Sequence, residues 1–328
     1  MRNLAIEVPE FDMQRAAGVL LITLFFVLVP VASLHAQGSG ENTYIKTTAW
    51  GDPDLAGIWS YASLTPLQRP ASLGNKEFYT ADEAAQINAS SREESDPTPG
   101  SVGAYNAGWF DKGDISSDLR TSLIVEPADG RLPLRAEAKE KLDAEAAFRK
   151  AHETDSYIYL TNWDRCITYH GVPPISSGYN NAYQIVQTPD HIAIYVEMIH
   201  DVRIIPLDKR PRLNDKIRQW NGDSRAYWEG NTLVVETANF SDKTVHRFPS
   251  TRNTRTVERF TRTGEDMIDY RFTIEDDELY SSPWTAVRPM PRQPDYTLYE
   301  YACHEGNYAM KYILRGARVE EQRAAEQR

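Results

Sequence analysis

The chain has 328 residues and a formal net charge of −11, because 47 Asp and Glu residues outnumber 36 Lys and Arg residues. An acidic chain without a basic cluster argues against binding of nucleic acid and against attraction to anionic membrane surfaces. The length allows one large domain, or one domain with an extension, to bury a sizeable core.

The first segment predicts a secretory signal peptide over residues 1–36. Arg15 precedes an apolar run over residues 16–31, and small residues offer a cleavage site after Ala36. The run is shorter than the ~20 residues that a membrane span needs, which favours cleavage over a retained anchor. Acidic residues stand before the run, so Met13 is an alternative start. We expect a periplasmic or secreted protein with no stable membrane insertion after cleavage.

The next segment, residues 37–156, has Pro, Gly, Ser and Asp in turn-forming clusters, which predicts a loop-rich extension. It carries two predicted helices. The first is expected near 80–90, where Thr80 and Glu83 have the spacing of a capping box. The second is expected over 133–152, where apolar residues recur every four positions on one face and the other faces are charged.

Residues 157–316 change to strand-like patterns, and a charged tail follows over 317–328. Turn residues separate three pairs of predicted strands, at 188–190, 230–231 and 263–266. In the last of these pairs, apolar and polar residues alternate with a period of two, which is typical of a sheet with one buried and one wet face. Residues 296–305 predict a further strand.

Successive antiparallel hairpins without intervening helices predict a mainly β fold, a meander closed into a barrel or folded into a sandwich. The blocks WEGNTLVVET, RTVERFTRTGEDMIDYRFTIED and SSPWTAV resemble the hairpins of calycin-type, lipocalin-like barrels. Gly57, Ile58 and Trp59 have the Gly-x-Trp form that lipocalins carry at their first strand. A long stretch of loop and helix follows it, unlike in a lipocalin, so the resemblance concerns the C-terminal half.

Five blocks are spread along the chain after the predicted signal: WGDPDLAGIW (50–59), RTSLIVEPADGRLP (120–133), YNNAYQIVQTPDHIAIYVEMIHDVRIIPLD (179–208), RQWNGDSRAYWEGNTLVVETANFSDKT (218–244) and YEYACHEGNYAM (299–310). These blocks resemble a widespread family of secreted, mostly uncharacterised bacterial proteins. The resemblance implies a periplasmic role in a bacterium, and it carries no reaction with it.

Cys166 and Cys303 are the two cysteines of the chain. In an oxidising compartment, two cysteines far apart in sequence predict one disulfide, which here would close a very long loop. A free buried pair and a thiol ligand beside His304 are the alternatives. A disulfide would also bring His304 and Glu305 close to Asp164 and to the neighbouring His170.

One strand-like stretch holds Glu197, His200, Asp201 and Arg203 within a few positions. In an unbroken strand, Tyr195 and the two carboxylates share a face with Arg203, as a carboxylate–guanidinium ladder lining the barrel, while His200 faces away. A bulge would instead pair His200 with a carboxylate, as a general base with the group that orients it.

The predicted strand at 296–305 contains a second polar cluster. Tyr299, Tyr301, Cys303 and Glu305 share one face of it, and His304 lies on the other. Because adjacent residues point to opposite faces, they seldom bind one metal ion together, and no recognised ligand spacing is present. We therefore expect no metal and no cofactor.

The sequence contains 18 Tyr and 7 Trp residues, whose flat apolar faces suit pockets for small organic molecules. The first hypothesis is therefore a protein that binds a small hydrophobic or aromatic molecule in the β domain. Its predicted contacts are Tyr195, Glu197, Arg203, Tyr299 and Tyr301.

Two alternatives stay open. The chain lacks the GxGxxG, P-loop, HExxH and GxSxG motifs, so no known catalytic motif decides between them. An enzyme (lyase, isomerase or hydrolase) would use His200 or His304 as the base and Asp201 or Glu305 to orient it, while Arg203 would hold a substrate anion. The other alternative is a structural protein of the cell envelope.

Overall fold

The computed structural model describes residues 46–93, 110–169, 171–244 and 246–327, which belong to one compact unit. The predicted signal peptide, with Met13 and the cleavage site after Ala36, lies outside these residues. Within the described ranges, no helix is both long enough and apolar enough to cross a membrane.

The described residues form two antiparallel sheets. The first has the order β1-β3-β4-β5, with β1 Gly57–Ser60, β3 Ala182–Gln187, β4 His191–Val196 and β5 Val202–Pro206. The second has the order β2-β10-β9-β8-β7-β6, with β2 Ile124–Glu126, β6 Asp223–Glu229, β7 Thr232–Ala238, β8 Arg255–Gly264, β9 Met267–Glu275 and β10 Trp284–Pro291. The strands β1 and β2 come from the segment that the sequence assigns to the extension.

Period-two alternation builds the core between the sheets. In β9, Ile268, Tyr270, Phe272 and Ile274 are fully buried, while the residues between them are not. Side chains from both sheets join one hydrophobic cluster. Burial of each large apolar side chain contributes about 1.5–3 kcal/mol, so this alternation is the main source of stability.

The mainly β prediction is confirmed, in its two-sheet form. Among the described strands, hydrogen bonds do not close the sheets into a barrel. β5 lies beside β6 without a ladder between them. At the other edge, β1 meets the end of β10 through a single antiparallel bridge between Trp59 and Arg292.

The three predicted hairpins are confirmed as β3–β4, β6–β7 and β8–β9. The β6–β7 turn uses Gly230 at φ 58°, a left-handed conformation that glycine adopts without strain. The predicted strand at 296–305 is wrong, because this segment is irregular and ends in turns. Among the described residues, no bridge or ladder joins this segment to a strand of either sheet. Tyr299 is 77% exposed, so the tyrosines there do not mark a buried face.

The two predicted helices are present, and a third, which was not predicted, begins inside the range assigned to the β domain. α1 is Ala81–Glu93, and its capping box is confirmed: the Thr80 amide donates to the Glu83 carboxylate at 2.8 Å, and the Glu83 amide donates to Thr80 Oγ1 at 3.2 Å. α2 is Ala136–His152. The charged tail belongs to a longer helix, α3, Ala309–Glu326, none of whose residues is buried.

Candidate binding site

The stretch with four ionisable residues is not one strand. β4 ends at Val196, and Met198–His200 form a single 3-10 turn before β5 begins. Ile199 and His200 have φ values of 65° and 49°, which are uncommon for residues other than glycine. The turn breaks the alternation of faces, so the predicted ladder of Glu197, Asp201 and Arg203 does not form.

The three members of that predicted ladder have separate partners. Glu197 is buried, and its Oε1 accepts a hydrogen bond from the Tyr296 hydroxyl. Asp201 accepts a hydrogen bond from the side chain of Asn221. Arg203 pairs with Glu258 of β8. Tyr195, at the end of β4, is half-buried.

The two predicted histidine bases, His200 and His304, are exposed at the surface. His200 Nδ1 is 2.6 Å from the Tyr301 carbonyl oxygen, a contact that joins the 198–200 turn to the segment after β10. His304 and Glu305 lie on an exposed turn. Among the described side chains, neither histidine makes a hydrogen bond to a carboxylate at these positions.

The predicted disulfide is confirmed: Cys166 and Cys303 are bonded, with their Cα atoms 5.6 Å apart. Asn307 completes the junction by donating to Cys166 Sγ at 3.0 Å. Asp164 and Glu305 line the same open cleft of about 470 Å³ beside it, and His170 lies outside the described residues. Within the described ranges, no three His, Cys, Asp or Glu side chains come together as a metal site.

The residues that the sequence reasoning missed form a layer of polar side chains across the core, which we call the interior polar belt. Its members are buried side chains from five strands and from the residue after β1: Tyr61, Tyr183, Arg203, Glu258, Tyr270 and Arg288. Direct strand pairing places Tyr270 of β9 opposite Arg288 of β10. The rings of Tyr61 and Tyr183 meet edge to face, with centroids 4.9 Å apart.

One half of the belt is a neutralised ion pair. Arg203 Nη1 and Nη2 donate to the two oxygens of Glu258 at 3.1 and 2.5 Å, and the Tyr270 hydroxyl donates to Glu258 Oε1 at 2.8 Å. Loss of hydration lowers the pKa of Arg203, but the facing carboxylate of Glu258 outweighs it, so the pKa lies above its ordinary value. Both side chains are therefore charged and hydrogen-bonded.

The other half of the belt is not neutralised. Arg288 is fully buried, and its Nη1 donates to the Pro174 carbonyl oxygen at 3.1 Å. Its Nε and Nη2 have no hydrogen-bond partner, and no carboxylate in the described residues forms a salt bridge with it. Burial lowers the pKa of Arg288 to about 10, which still leaves it positively charged at neutral pH.

The tyrosines of the belt are hydrogen-bond donors in their neutral form. Burial raises the pKa of Tyr61, Tyr183 and Tyr270 well above the ordinary value, so their hydroxyls keep their protons. The Tyr183 hydroxyl lies beside Arg203 and has no hydrogen-bond partner. The belt thus holds two guanidinium groups, one carboxylate paired with one of them, and several buried donors without acceptors.

Comparison with models of known protein families gives no match, and comparison with curated proteins gives none either. The proposal for the function of this chain therefore rests on the geometry of the belt.

A sequence signal for the belt exists in the phase of the strands. Arg288 lies on the same face of β10 as Trp284, Ala286 and Met290, which are all fully buried. Glu258 likewise stands in register with Thr256 and Phe260. A charged residue in the phase of the buried positions predicts a charge that faces the core.

Proposed function

We propose that this protein binds a small aromatic or hydrophobic organic molecule inside the β domain, at the interior polar belt. The observation that carries the proposal is Arg288, a fully buried cation with two unpaired nitrogens. A buried donor without an acceptor costs about 1–3 kcal/mol, and more when it is charged, so buried groups of this kind are rarely left unpaired. A bound ligand would supply the missing acceptors.

The surroundings of Arg288 favour an organic ligand. Tyr61, Tyr183 and Tyr270 lie close enough to influence its pKa, and Phe272 and Trp284 continue the aromatic wall, with ring centroids 5.9 Å apart. Binding sites for small molecules are mostly apolar and aromatic, with few polar groups that fix the orientation. The belt has this composition.

Binding is favoured over acid–base catalysis at the predicted residues. The enzyme alternative needs His200 or His304 to be oriented by a carboxylate, whereas the hydrogen bond of His200 among the described residues is with the Tyr301 carbonyl oxygen. The predicted signal peptide and the disulfide between Cys166 and Cys303 support a secreted or periplasmic location, because disulfides persist in oxidising compartments.

Native mass spectrometry of protein purified from its own secretory compartment tests the proposal. We expect a small-molecule mass that is lost on denaturation. Tyr183→Phe removes one unpaired donor of the belt and should reduce the amount of bound molecule, whereas Tyr227→Phe, at a tyrosine that is 41% exposed, should not. A bare mass, together with unchanged thermal unfolding in the presence of added aromatic compounds, would contradict binding and favour a structural role.

A further inference from the structure

We propose that the ligand is a monocarboxylate and that Arg288 holds its two oxygens side-on through Nε and Nη2. This inference rests on the proposed function and names the class of its ligand. It depends on which nitrogen atoms of Arg288 already have hydrogen-bond partners, on the charge of the belt and on the hydrogen-bond donors nearby.

The unoccupied atoms of Arg288 form one edge of the guanidinium. Nη1 is bound to the Pro174 carbonyl oxygen, which fixes the plane and the direction of the group. Nε and Nη2 have no partner, and their N–H bonds point to the same side, nearly parallel. Such an edge matches the spacing of two carboxylate oxygens, and bidentate pairs of this kind are among the strongest hydrogen-bonded pairs in proteins.

The charge of the belt favours a single negative charge on the ligand. Arg203 is neutralised by Glu258, whereas no carboxylate of the described residues neutralises Arg288. One carboxylate would therefore balance the charge of the belt, and a dianion would leave a surplus negative charge in a buried site, which is costly.

Tyr183 supplies a further donor. Its hydroxyl is buried and unpaired, and its electrostatic coupling to Arg288 places the two groups in one neighbourhood. Because burial keeps this hydroxyl protonated, it can donate to a carboxylate oxygen but does not repel it. The tyrosine rings of the belt favour an aromatic body for the rest of the ligand.

Pro174, the partner of Arg288, belongs to the irregular segment 171–181 between the disulfide region and β3. Because Arg288 is fully buried, exchange of a ligand requires part of the surrounding chain to move. We expect association to be slower than diffusion, as in other sites whose binding needs a conformational change.

The test uses the full secreted chain with benzoate as the probe and benzamide as its neutral control of nearly the same shape. Isothermal titration and thermal unfolding should show saturable binding of benzoate, with at least about tenfold weaker binding of benzamide. Acetate, phosphate and chloride complete the series. Acetate should bind more weakly than benzoate, and neither inorganic anion should reproduce the effect.

Two variants test whether Arg288 binds the carboxylate. Arg288→Lys keeps the positive charge but removes the bidentate edge, and should weaken benzoate binding by about tenfold or more. Arg271→Lys is the matched control on the exposed side of β9, and should bind benzoate as the wild type does. Circular dichroism reports whether each variant folds. If Arg288→Lys does not fold, the comparison of benzoate with benzamide on the wild type decides alone.

The outcomes separate this inference from the proposed function. Equal binding of benzoate and benzamide would overturn the carboxylate but keep an aromatic ligand. Acetate as strong as benzoate would keep the carboxylate and overturn the aromatic body. A response to phosphate or chloride alone, or no response to any probe, would overturn both.

Discussion

Acidification should destabilise this protein through His246, a buried histidine outside the belt. Its ring contacts Phe240 edge to face, with ring centroids 4.8 Å apart, and stacks on Phe248, with centroids 5.0 Å apart. Neither ring nitrogen has a hydrogen-bond partner. Loss of hydration is the cause that lowers the pKa of His246 from its ordinary 6.5 to about 4. The folded protein therefore holds this ring neutral where the unfolded chain would protonate it.

The sign and size of the effect follow from linkage between protonation and folding. Because the pKa of His246 is lower in the folded state, its contribution to stability is complete above pH 6.5 and is lost as the pH falls towards 4. Relative to about pH 8, the loss is about 2 kcal/mol near pH 5 and about 3 kcal/mol near pH 4. The side chain is buried, so solvent screening does not reduce this value.

Urea unfolding of the wild type and of His246→Phe at several pH values measures the effect. Phe has no titrating group and can occupy the same aromatic surroundings, so the difference between the two proteins isolates His246 from the carboxylates that titrate in the same range. The free energies of unfolding should move apart by about 2–3 kcal/mol in favour of the variant between neutral pH and about pH 4. Parallel curves of unfolding free energy against pH would contradict a buried, neutral His246 in the folded protein.

Three further substitutions test other parts of the fold. Glu258→Gln leaves a buried guanidinium without its counter-charge and should lower the free energy of unfolding by about 3–5 kcal/mol. Its control, Glu236→Gln, lies at an exposed pair and should lower it by under about 1 kcal/mol in the same denaturation assay. Equal losses would contradict a charged interior. Thr80→Ala should cost about 1 kcal/mol by removing the capping box of α1, and an unchanged midpoint of thermal unfolding would count against that role. Replacing Cys166 and Cys303 by Ser should cost about 2–5 kcal/mol, which unfolding under non-reducing conditions would detect; a variant as stable as the wild type would show that the long loop needs no covalent closure.

The sequence predicts those parts of the fold that depend on local pattern. The alternation of Ile268, Tyr270, Phe272 and Ile274 predicts a half-buried strand, and the spacing of Thr80 to its partner in the capping box predicts the start of α1. Both are confirmed. The disulfide follows from compartment chemistry and is confirmed as well.

Features that depend on distant partners were not predictable in this way. β1 and β2 have four and three residues, too few for a periodic pattern, and they form because longer strands offer them an edge. The left-handed Ile199, which breaks the predicted ladder, contradicts its own local preference. The segment 296–305 has the pattern of a strand but pairs with no strand among the described residues.

The candidate site shows the same limit. Arg203 was expected to hold a ligand anion, but its charge is taken by Glu258, which lies far away in sequence. Within the belt, Arg288 is the guanidinium that no carboxylate of the described residues neutralises, and only the inward phase of β10 would have pointed to it. The number of partners that a buried charge has is a property of the assembled core, so sequence alone does not reveal it.

A high-resolution crystal structure of the protein, grown with benzoate, would show directly whether Arg288 holds a carboxylate. We expect non-protein density at the Nε and Nη2 edge of Arg288, with two oxygens within hydrogen-bond distance and Nη1 still bound to the Pro174 carbonyl oxygen. Glu197, a buried carboxylate whose Oε2 has no hydrogen-bond partner, is a rival for that edge. Density in which Glu197 itself occupies that edge would contradict the account.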